Sequence, residues 1–179
     1  VSSAAITSED AFHQLIDGPG HLRIDAVVAG ALAGLLTFLP TIGTPSVASS
    51  STVSFTTSGR IAGGGEIEVV LPDDGWVLPA RLNVSFSSPA GVSAASSSWD
   101  EITRTILITT NASASSINEN SFVVASIQHV TTPTGIRSSN SANITTRAPL
   151  GVVIDGPTSC RVPGIVAGAI SSATWDPAE

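Results

Sequence analysis

Three asparagines stand in the sequence pattern that accepts N-linked sugar: Asn83-Val-Ser85, Asn111-Ala-Ser113 and Asn143-Ile-Thr145. This modification requires a surface asparagine in a protein that passes through the secretory pathway. Asn83 and Asn143 fall on the polar positions of segments in which apolar and polar residues alternate, and Asn111 directly follows such a segment. The sequence therefore predicts N-glycosylation at all three, with unmodified surface asparagines as the alternative.

The acidic residues most able to do chemistry come as adjacent pairs, Asp73-Asp74 and Asp100-Glu101. A glycosidase needs two carboxylates that face each other across a cleft, and sequence neighbours on a turn do not provide that geometry. A calcium site at Asp17 or Asp155 is a weaker alternative, because Ca²⁺ takes several oxygen ligands and no Asp-x-Asp spacing surrounds either residue. We expect no enzyme activity, no metal site and no cofactor other than covalent glycans.

Composition narrows the classes of partner. The chain has 179 residues, of which 42% are hydrophobic, so one domain of ordinary size with a buried core is expected. The formal net charge is −7, which excludes the basic surface that a nucleic acid requires. The apolar segment 26–39 is shorter than the roughly 20 residues of a membrane-spanning helix, so no span is predicted in this chain.

The chain repeats part of itself at an offset of 138 residues. Residues 1–32 match residues 139–170 at 13 positions without a gap. The clearest matches are Ile16-Asp17-Gly18-Pro19 with Ile154-Asp155-Gly156-Pro157, and Val28–Ala31 with Val166–Ala169. Such self-similarity is typical of repeat architectures. It predicts three parts: the end of one unit (1–22), a complete unit (23–160) and the start of a third (161–179).

The repeated Ile-Asp-Gly-Pro segments are predicted to be turns that connect successive units. Aspartate can cap a turn, glycine tolerates a positive φ, and proline fixes the exit direction. The repeat also aligns Cys160, the only cysteine, with Leu22, which predicts a small buried apolar side chain at this position.

Between the repeated ends, apolar and polar residues alternate with a period of two. The pattern is clearest in 51–58, 66–71, 82–86, 102–108, 122–127 and 141–146. In 102–108 it places Ile102, Ile106 and Ile108 on one face. Alternation of this kind indicates antiparallel strands with one face in the core and one in water. Six or seven such strands predict an all-β, immunoglobulin-like antiparallel β-sandwich, with a short helical turn at 8–13 as the only candidate helix.

The segments TVSFTTSGRIAGGGEIEVVLPDDGW, SINENSFVVASIQHVTTPTG and IDGPTS resemble the tandem immunoglobulin-like repeats of very large cell-surface proteins in algae and other aquatic protists. The resemblance covers most of residues 28–170. It implies an extracellular, glycosylated protein that forms fibres or coats a surface, and it supplies no catalytic residues.

Together these observations predict a structural subunit of an extracellular filament or cell-surface fibre. Its partners would be copies of itself, assembled head to tail, together with glycans. The alternative is a cell-surface adhesin or carbohydrate-binding module, which Trp76 and Trp99 would serve as a sugar-stacking platform if they were exposed side by side. Packing in the core is the simpler expectation for both tryptophans.

Overall fold

The computed structural model describes residues 2–24 and 27–169. These two ranges contain eleven β-strands and no helix. The all-β class is therefore confirmed. No helix in these two ranges is long and apolar enough to cross a membrane. The strands are β1 (Ser2–Glu9), β2 (Leu15–Ile24), β3 (Ala33–Pro40), β4 (Ala48–Thr56), β5 (Glu66–Val70), β6 (Val84–Ser88), β7 (Ala94–Asp100), β8 (Thr105–Thr110), β9 (Phe122–Thr131), β10 (Asn140–Arg147) and β11 (Val153–Val162).

Nine of these strands form one continuous sheet in the order β6-β9-β4-β3-β11-β10-β5-β8-β7. All neighbours are antiparallel except β3 and β11, which are parallel. The two ends of the sheet approach each other, because Leu82 N donates to Ser97 O and Trp99 N donates to Ala80 O, both at 3.1 Å. The sheet is a nearly closed barrel, so the predicted two-sheet immunoglobulin-like sandwich is not confirmed.

The alternating segments form strands because each buries its apolar positions and exposes its polar ones. In β4, Val53 and Phe55 are fully buried, and in β5 the same holds for Val69. Burial of such side chains contributes roughly 1.5–3 kcal/mol each and dominates the stability of the barrel. The largest fully buried side chains are Phe38, Phe55, Ile61, Ile67, Leu71, Ile106, Ile108, Ile117, Ile127, Ile144 and Ile165.

One predicted inward position is wrong. Ile102 is 90% exposed, in the turn between β7 and β8. The Asp100 carboxylate accepts the backbone N–H groups of Ile102 and Thr103 at 2.9 and 3.3 Å, which ends the strand before this residue. These bonds also lower the pKa of Asp100. The local hydrogen bonds to Asp100 therefore outweigh the burial of one isoleucine.

The remaining two strands, β1 and β2, form a separate two-stranded sheet. The connection between them is a hairpin turn, so the one candidate helical turn, at 8–13, does not form a helix. The Asp10 side chain accepts the N–H groups of Phe12 and Gln14, and Asp10 N donates to Gln14 O. An aspartate that bonds the backbone two residues later is a common way to close a turn.

This hairpin is a copy of the hairpin β10–β11. Adding 138 to the bounds of β1 and β2 gives the bounds of β10 and β11. The pairing register is also the same, since Ser2 faces Ile24 as Asn140 faces Val162. Even the irregularities recur, after Ile6 in one copy and after Ile144 in the other. The sequence repeat is thus a repeat of one structural element.

Candidate functional site

The buried carboxylate of Asp155 joins three parts of the barrel. It accepts Gly59 N at 3.0 Å and Ser58 N at 3.2 Å, from the turn after β4, and the Thr146 hydroxyl of β10 at 3.2 Å. Thr146 Oγ1 in turn accepts the backbone N–H of Asp155 at 3.1 Å. Asp155 has no exposed surface. A buried carboxylate is tolerated when donors satisfy its oxygens. Here five hydrogen bonds hold the carboxylate and its backbone, since Gly59 N reaches both carboxylate oxygens.

Gly30 brings the chain into the barrel directly beside this carboxylate. Gly30 N donates to Ile154 O and Gly156 N donates to Gly30 O, both at 2.8 Å, so the chain before β3 runs parallel to β11. A Cβ at position 30 would lie 2.5 Å from Asp155 Oδ1 and 2.5 Å from Ser58 Oγ. A side chain at this position would therefore displace the Asp155 cluster.

The predicted connector residues lie inside strands, so their interpretation as turns is wrong. Ile154, Asp155, Gly156 and Pro157 belong to β11, and Ile16, Asp17, Gly18 and Pro19 belong to β2. The β10–β11 register shifts between Ile144 and Thr146, opposite Asp155–Thr158. A bulge in the ladder accommodates a proline, which has no N–H to donate, and Gly156 provides the positive φ of 88°. Their role as inter-unit connectors stays a prediction.

The first hairpin reproduces the core of the Asp155 cluster without its partners. The Ser8 hydroxyl donates to Asp17 Oδ2 at 2.7 Å, which is the Thr146–Asp155 hydrogen bond moved by 138 residues. Asp17 is exposed, whereas Asp155 is buried. In the described part of the chain, no second Ser-Gly turn donates to Asp17.

The apolar positions of the two hairpins differ in the same way. Ile6 is 59% exposed, and its counterpart Ile144 is fully buried. Leu15 and Ile16 are 57% and 63% exposed, and their counterparts in β11 are half-buried. Large apolar side chains exposed on one element mark an interaction surface. We call the side of β1–β2 that carries Ile6 and Asp17 the hairpin face.

The structure places the strand ends close to the predicted unit boundaries. β2 ends at Ile24 and β11 at Val162, two residues beyond the predicted ends at 22 and 160. After β11, Ile165 pairs with Arg137 and Val166 N donates to Gly43 O at 2.9 Å. Residue 1 and residues 170–179 of the predicted flanking units lie outside the described residues, and the division into 1–22, 23–160 and 161–179 stays a prediction.

The three candidate glycosylation sites differ in accessibility. Asn83, just before β6, and Asn143, on β10, are exposed. Asn111 is half-buried, and its side-chain oxygen accepts Ser113 N at 2.9 Å within its own sequon. Asn83 also borders a groove of about 630 Å³, where β6 and β7 separate and leave the barrel open. The geometry therefore favours Asn83 and Asn143 over Asn111 as carriers of sugar in the folded protein.

The two tryptophans are buried, which confirms their interpretation as packing residues. Trp76 is 5% and Trp99 9% exposed, and the Trp76 ring meets Phe38 edge to face at a centroid distance of 5.3 Å. Both also line a cavity of about 170 Å³, beside the ion pair of Arg104 with Asp73 at 3.2 Å. Among the described residues, none accepts a hydrogen bond from Trp76 Nε1.

Cys160 is buried, as the alignment with Leu22 predicted, and its thiol is free. Burial raises its pKa to about 11. In the part of the chain that the structure describes, no three His, Cys, Asp or Glu side chains gather to hold a metal ion. The predicted calcium alternative also loses Asp155 as a ligand, because N–H and O–H donors already occupy both of its oxygens.

Sequence reasoning missed Ser58 and Gly59, which complete the Asp155 cluster, and noted Gly30 only as part of the repeated segment Val28–Ala31. The repetition of Asp17 at Asp155 marked the two positions as equivalent without indicating their partners. Comparison with protein-family models and with curated proteins finds no match to this chain.

Proposed function

We propose that this chain is a structural subunit of an extracellular, glycosylated filament or cell-surface fibre, in which units follow one another head to tail. The observation that carries this proposal is the second copy of the terminal hairpin, which keeps the register of β10–β11 but exposes its apolar face. Units that each close a core and contact only their neighbours build quasi-one-dimensional assemblies.

The spacing of the elements supports a chain of closely joined units. Five residues separate the end of β2 at Ile24 from Gly30, which is already paired with β11 of the barrel. At the other end, two residues separate Val162 from Ile165, which pairs with Arg137. Connections this short restrict the angles between neighbouring units, and a stiff fibre needs that restriction.

We further propose that the barrel is of immunoglobulin-like type. Its order can be divided at β3 into a group β6-β9-β4 and a group β11-β10-β5-β8-β7. β3 then joins the two groups, antiparallel to β4 and parallel to β11. Two groups of antiparallel strands that pack around one core correspond to the layers of a sandwich.

The extracellular assignment is supported by the exposed sequons at Asn83 and Asn143. Sugar on these asparagines would cover polar faces and one open strand edge. It would thereby prevent these surfaces from pairing with chains other than the neighbouring units. The test is immuno-electron microscopy of the native material with antibodies raised against residues 28–162. Labelled filaments are expected, and label confined to isolated globular particles would overturn the proposal.

The alternative of a carbohydrate-binding module loses its sugar-stacking platform, because Trp76 and Trp99 are buried, and the small cavity beside them is the one feature of this alternative left to test. The cavity of about 170 Å³ is lined by Trp76 and Trp99 together with Asp73, Glu101 and Arg104. Nuclear magnetic resonance titration of the chain with neutral and acidic monosaccharides tests it. Saturable shifts of the tryptophan indole signals that disappear in Trp99→Phe would support this candidate, and the absence of shifts would remove it.

A further inference from the structure

We propose that the hairpin β1–β2 completes the barrel of a preceding unit of the same type in the same polypeptide. It would take the place there that β10–β11 takes in the barrel described above. This inference rests on the proposed head-to-tail arrangement and specifies its partner, its register and its central polar contact.

The first argument is the pairing of the two hairpin edges. β10 pairs with β5, where Ile144 faces Val69, and β11 pairs with the chain before β3, where Asp155 lies beside Gly30. The hairpin β10–β11 is therefore held between two strands of its barrel. In the described ranges, β1 and β2 pair only with each other, so both outer edges of their hairpin lack such partners.

The second argument is the match in buried surface. Ile144 is fully buried in contact with the barrel core, and the identical residue Ile6 projects from the same position of the same strand. Leu15 and Ile16 of the same hairpin are also exposed. Because β10–β11 fits the interior of this barrel, the equivalent surface of β1–β2 should fit the interior of an equivalent barrel.

The third argument is the carboxylate of Asp17. It already holds the hydrogen bond from Ser8, and no described residue gives it the two backbone N–H donors that Ser58 and Gly59 give to Asp155. The missing partner must therefore present two free N–H groups from the turn that follows its equivalent of β4. It must also carry a glycine at the position of Gly30, because a side chain there would meet the carboxylate.

The partner must be a barrel in which no hairpin occupies the position that β10–β11 takes here, between β5 and the chain before β3. In this chain the place is filled by β10–β11, and a second copy of the chain would have it filled in the same way. In a preceding unit that runs directly into β1, the hairpin β1–β2 is itself the terminal hairpin, so the position is free for it. The repeat offset of 138 gives the junction, since residue 138 of such a unit would precede Val1.

The experiment places this missing unit before the full chain. In the test protein, residues 28–138 are fused directly to residue 1 of the complete sequence, so that β1–β2 can close the added barrel. In the control protein, residues 28–162 are fused through a flexible linker to the same chain, so that the added barrel already has its own hairpin. Hydrogen exchange of the backbone amides in residues 2–24 is compared among these two fusions and the unfused chain.

We expect the amides of β1–β2 to exchange at least about 100-fold more slowly in the test fusion than in the control fusion or the unfused chain, because they become part of a barrel. Asp17→Asn should restore fast exchange in the test fusion and leave the unfused chain unchanged. Equal exchange in all three proteins would overturn the inference. It would also be overturned if the control fusion folds and the test fusion does not, because the hairpin then cannot replace β10–β11.

Two further outcomes separate this inference from its alternatives. If the unfused chain dimerises with increasing concentration and β1–β2 becomes protected, the partner is a second copy and the inference is wrong. If the test fusion protects the hairpin but native material contains no filaments, the hairpin contact stands and the proposed fibre function fails.

Discussion

Ile6 and Ile144 occupy the same position in two copies of one β-hairpin, yet Ile144 is fully buried and Ile6 is 59% exposed. The two residues have the same side chain, lie at equivalent positions of β1 and β10, and have the same cross-strand register. Their difference in burial therefore comes only from what covers the hairpin, which makes the two positions a matched pair for measurement.

The first prediction uses this pair. Ile144→Ala should lower the free energy of unfolding of the chain by about 3–4 kcal/mol, because it leaves a cavity in a well-packed core. Ile6→Ala should change it by less than about 0.5 kcal/mol, as expected for an exposed position. Denaturant unfolding followed by tryptophan fluorescence measures both. Equal effects of the two substitutions would contradict the separate placement of the first hairpin.

The second prediction concerns the polar cluster. Asp155→Ala should destabilise the barrel by about 2 kcal/mol, because it leaves the N–H groups of Ser58 and Gly59 and the buried Thr146 hydroxyl without their acceptor. Asp17→Ala is the control and should have little effect on the same chain, since Asp17 is exposed. Thermal unfolding in a calorimeter compares the two variants, and an unchanged midpoint for Asp155→Ala would show that the cluster is not stabilising.

The third prediction tests the close approach at Gly30. Gly30→Ala should destabilise the chain by about 2 kcal/mol, because its Cβ would meet Asp155 and Ser58 at 2.5 Å. The repeat supplies the control: at Gly168, the counterpart of Gly30, an added Cβ would lie 3.4 Å from its nearest neighbour, Thr44. Chemical denaturation should therefore separate the two variants clearly, and equal stability would rule out the tight packing.

The fourth prediction concerns sugar. When the chain is secreted from eukaryotic cells, glycopeptide mass spectrometry should find higher occupancy at Asn83 and Asn143 than at Asn111, whose side chain is half-buried and bonded to Ser113. Asn83→Gln and Asn143→Gln should each remove one glycan from the intact mass. Three bare asparagines would contradict both the modification and the extracellular assignment.

The fifth prediction is a pH dependence from Cys160. Its pKa is raised from 9.0 to about 11, so the folded state keeps the thiol proton more tightly than the unfolded state does. The stability this contributes is complete below pH 9 and is lost as the pH rises through about 11. The chain contains neither lysine nor tyrosine, so no other side chain titrates in this window. Cys160→Val should flatten the stability profile there, and a profile identical to that of the unchanged protein would exclude the effect.

The period-two pattern was sufficient to locate most strands but not their neighbours. It placed β4, β5, β9 and β10, where buried Val, Ile and Phe alternate with polar residues. It missed β7, because the serines of this strand carry no apolar signal, although Trp99 anchors it in the core. Alternation determines which face of a strand is buried, and it contains no information on which strand lies beside it.

The candidate site shows the same limit more sharply. The repeat identified Asp17 and Asp155 as equivalent, but the Gly-Pro pair after each indicated a turn. In the structure Gly156 and Pro157 lie at a bulge within β11, because β10 pairs with one edge of this segment and Gly30 with the other. Gly30 lies more than 100 residues away from Asp155 in sequence, so local pattern could not reveal this contact.

The parallel pairing of the chain around Gly30 with β11 has a mechanical consequence. Parallel neighbours start at the same end, so the chain enters the barrel at one end of this pair and leaves β11 at the other. A pull along the polypeptide therefore slides the two strands past each other. The hydrogen bonds Gly30 N to Ile154 O and Gly156 N to Gly30 O are then loaded together in shear, and they do not break one after another. In this geometry the barrel transmits tension directly from its first strand to its last.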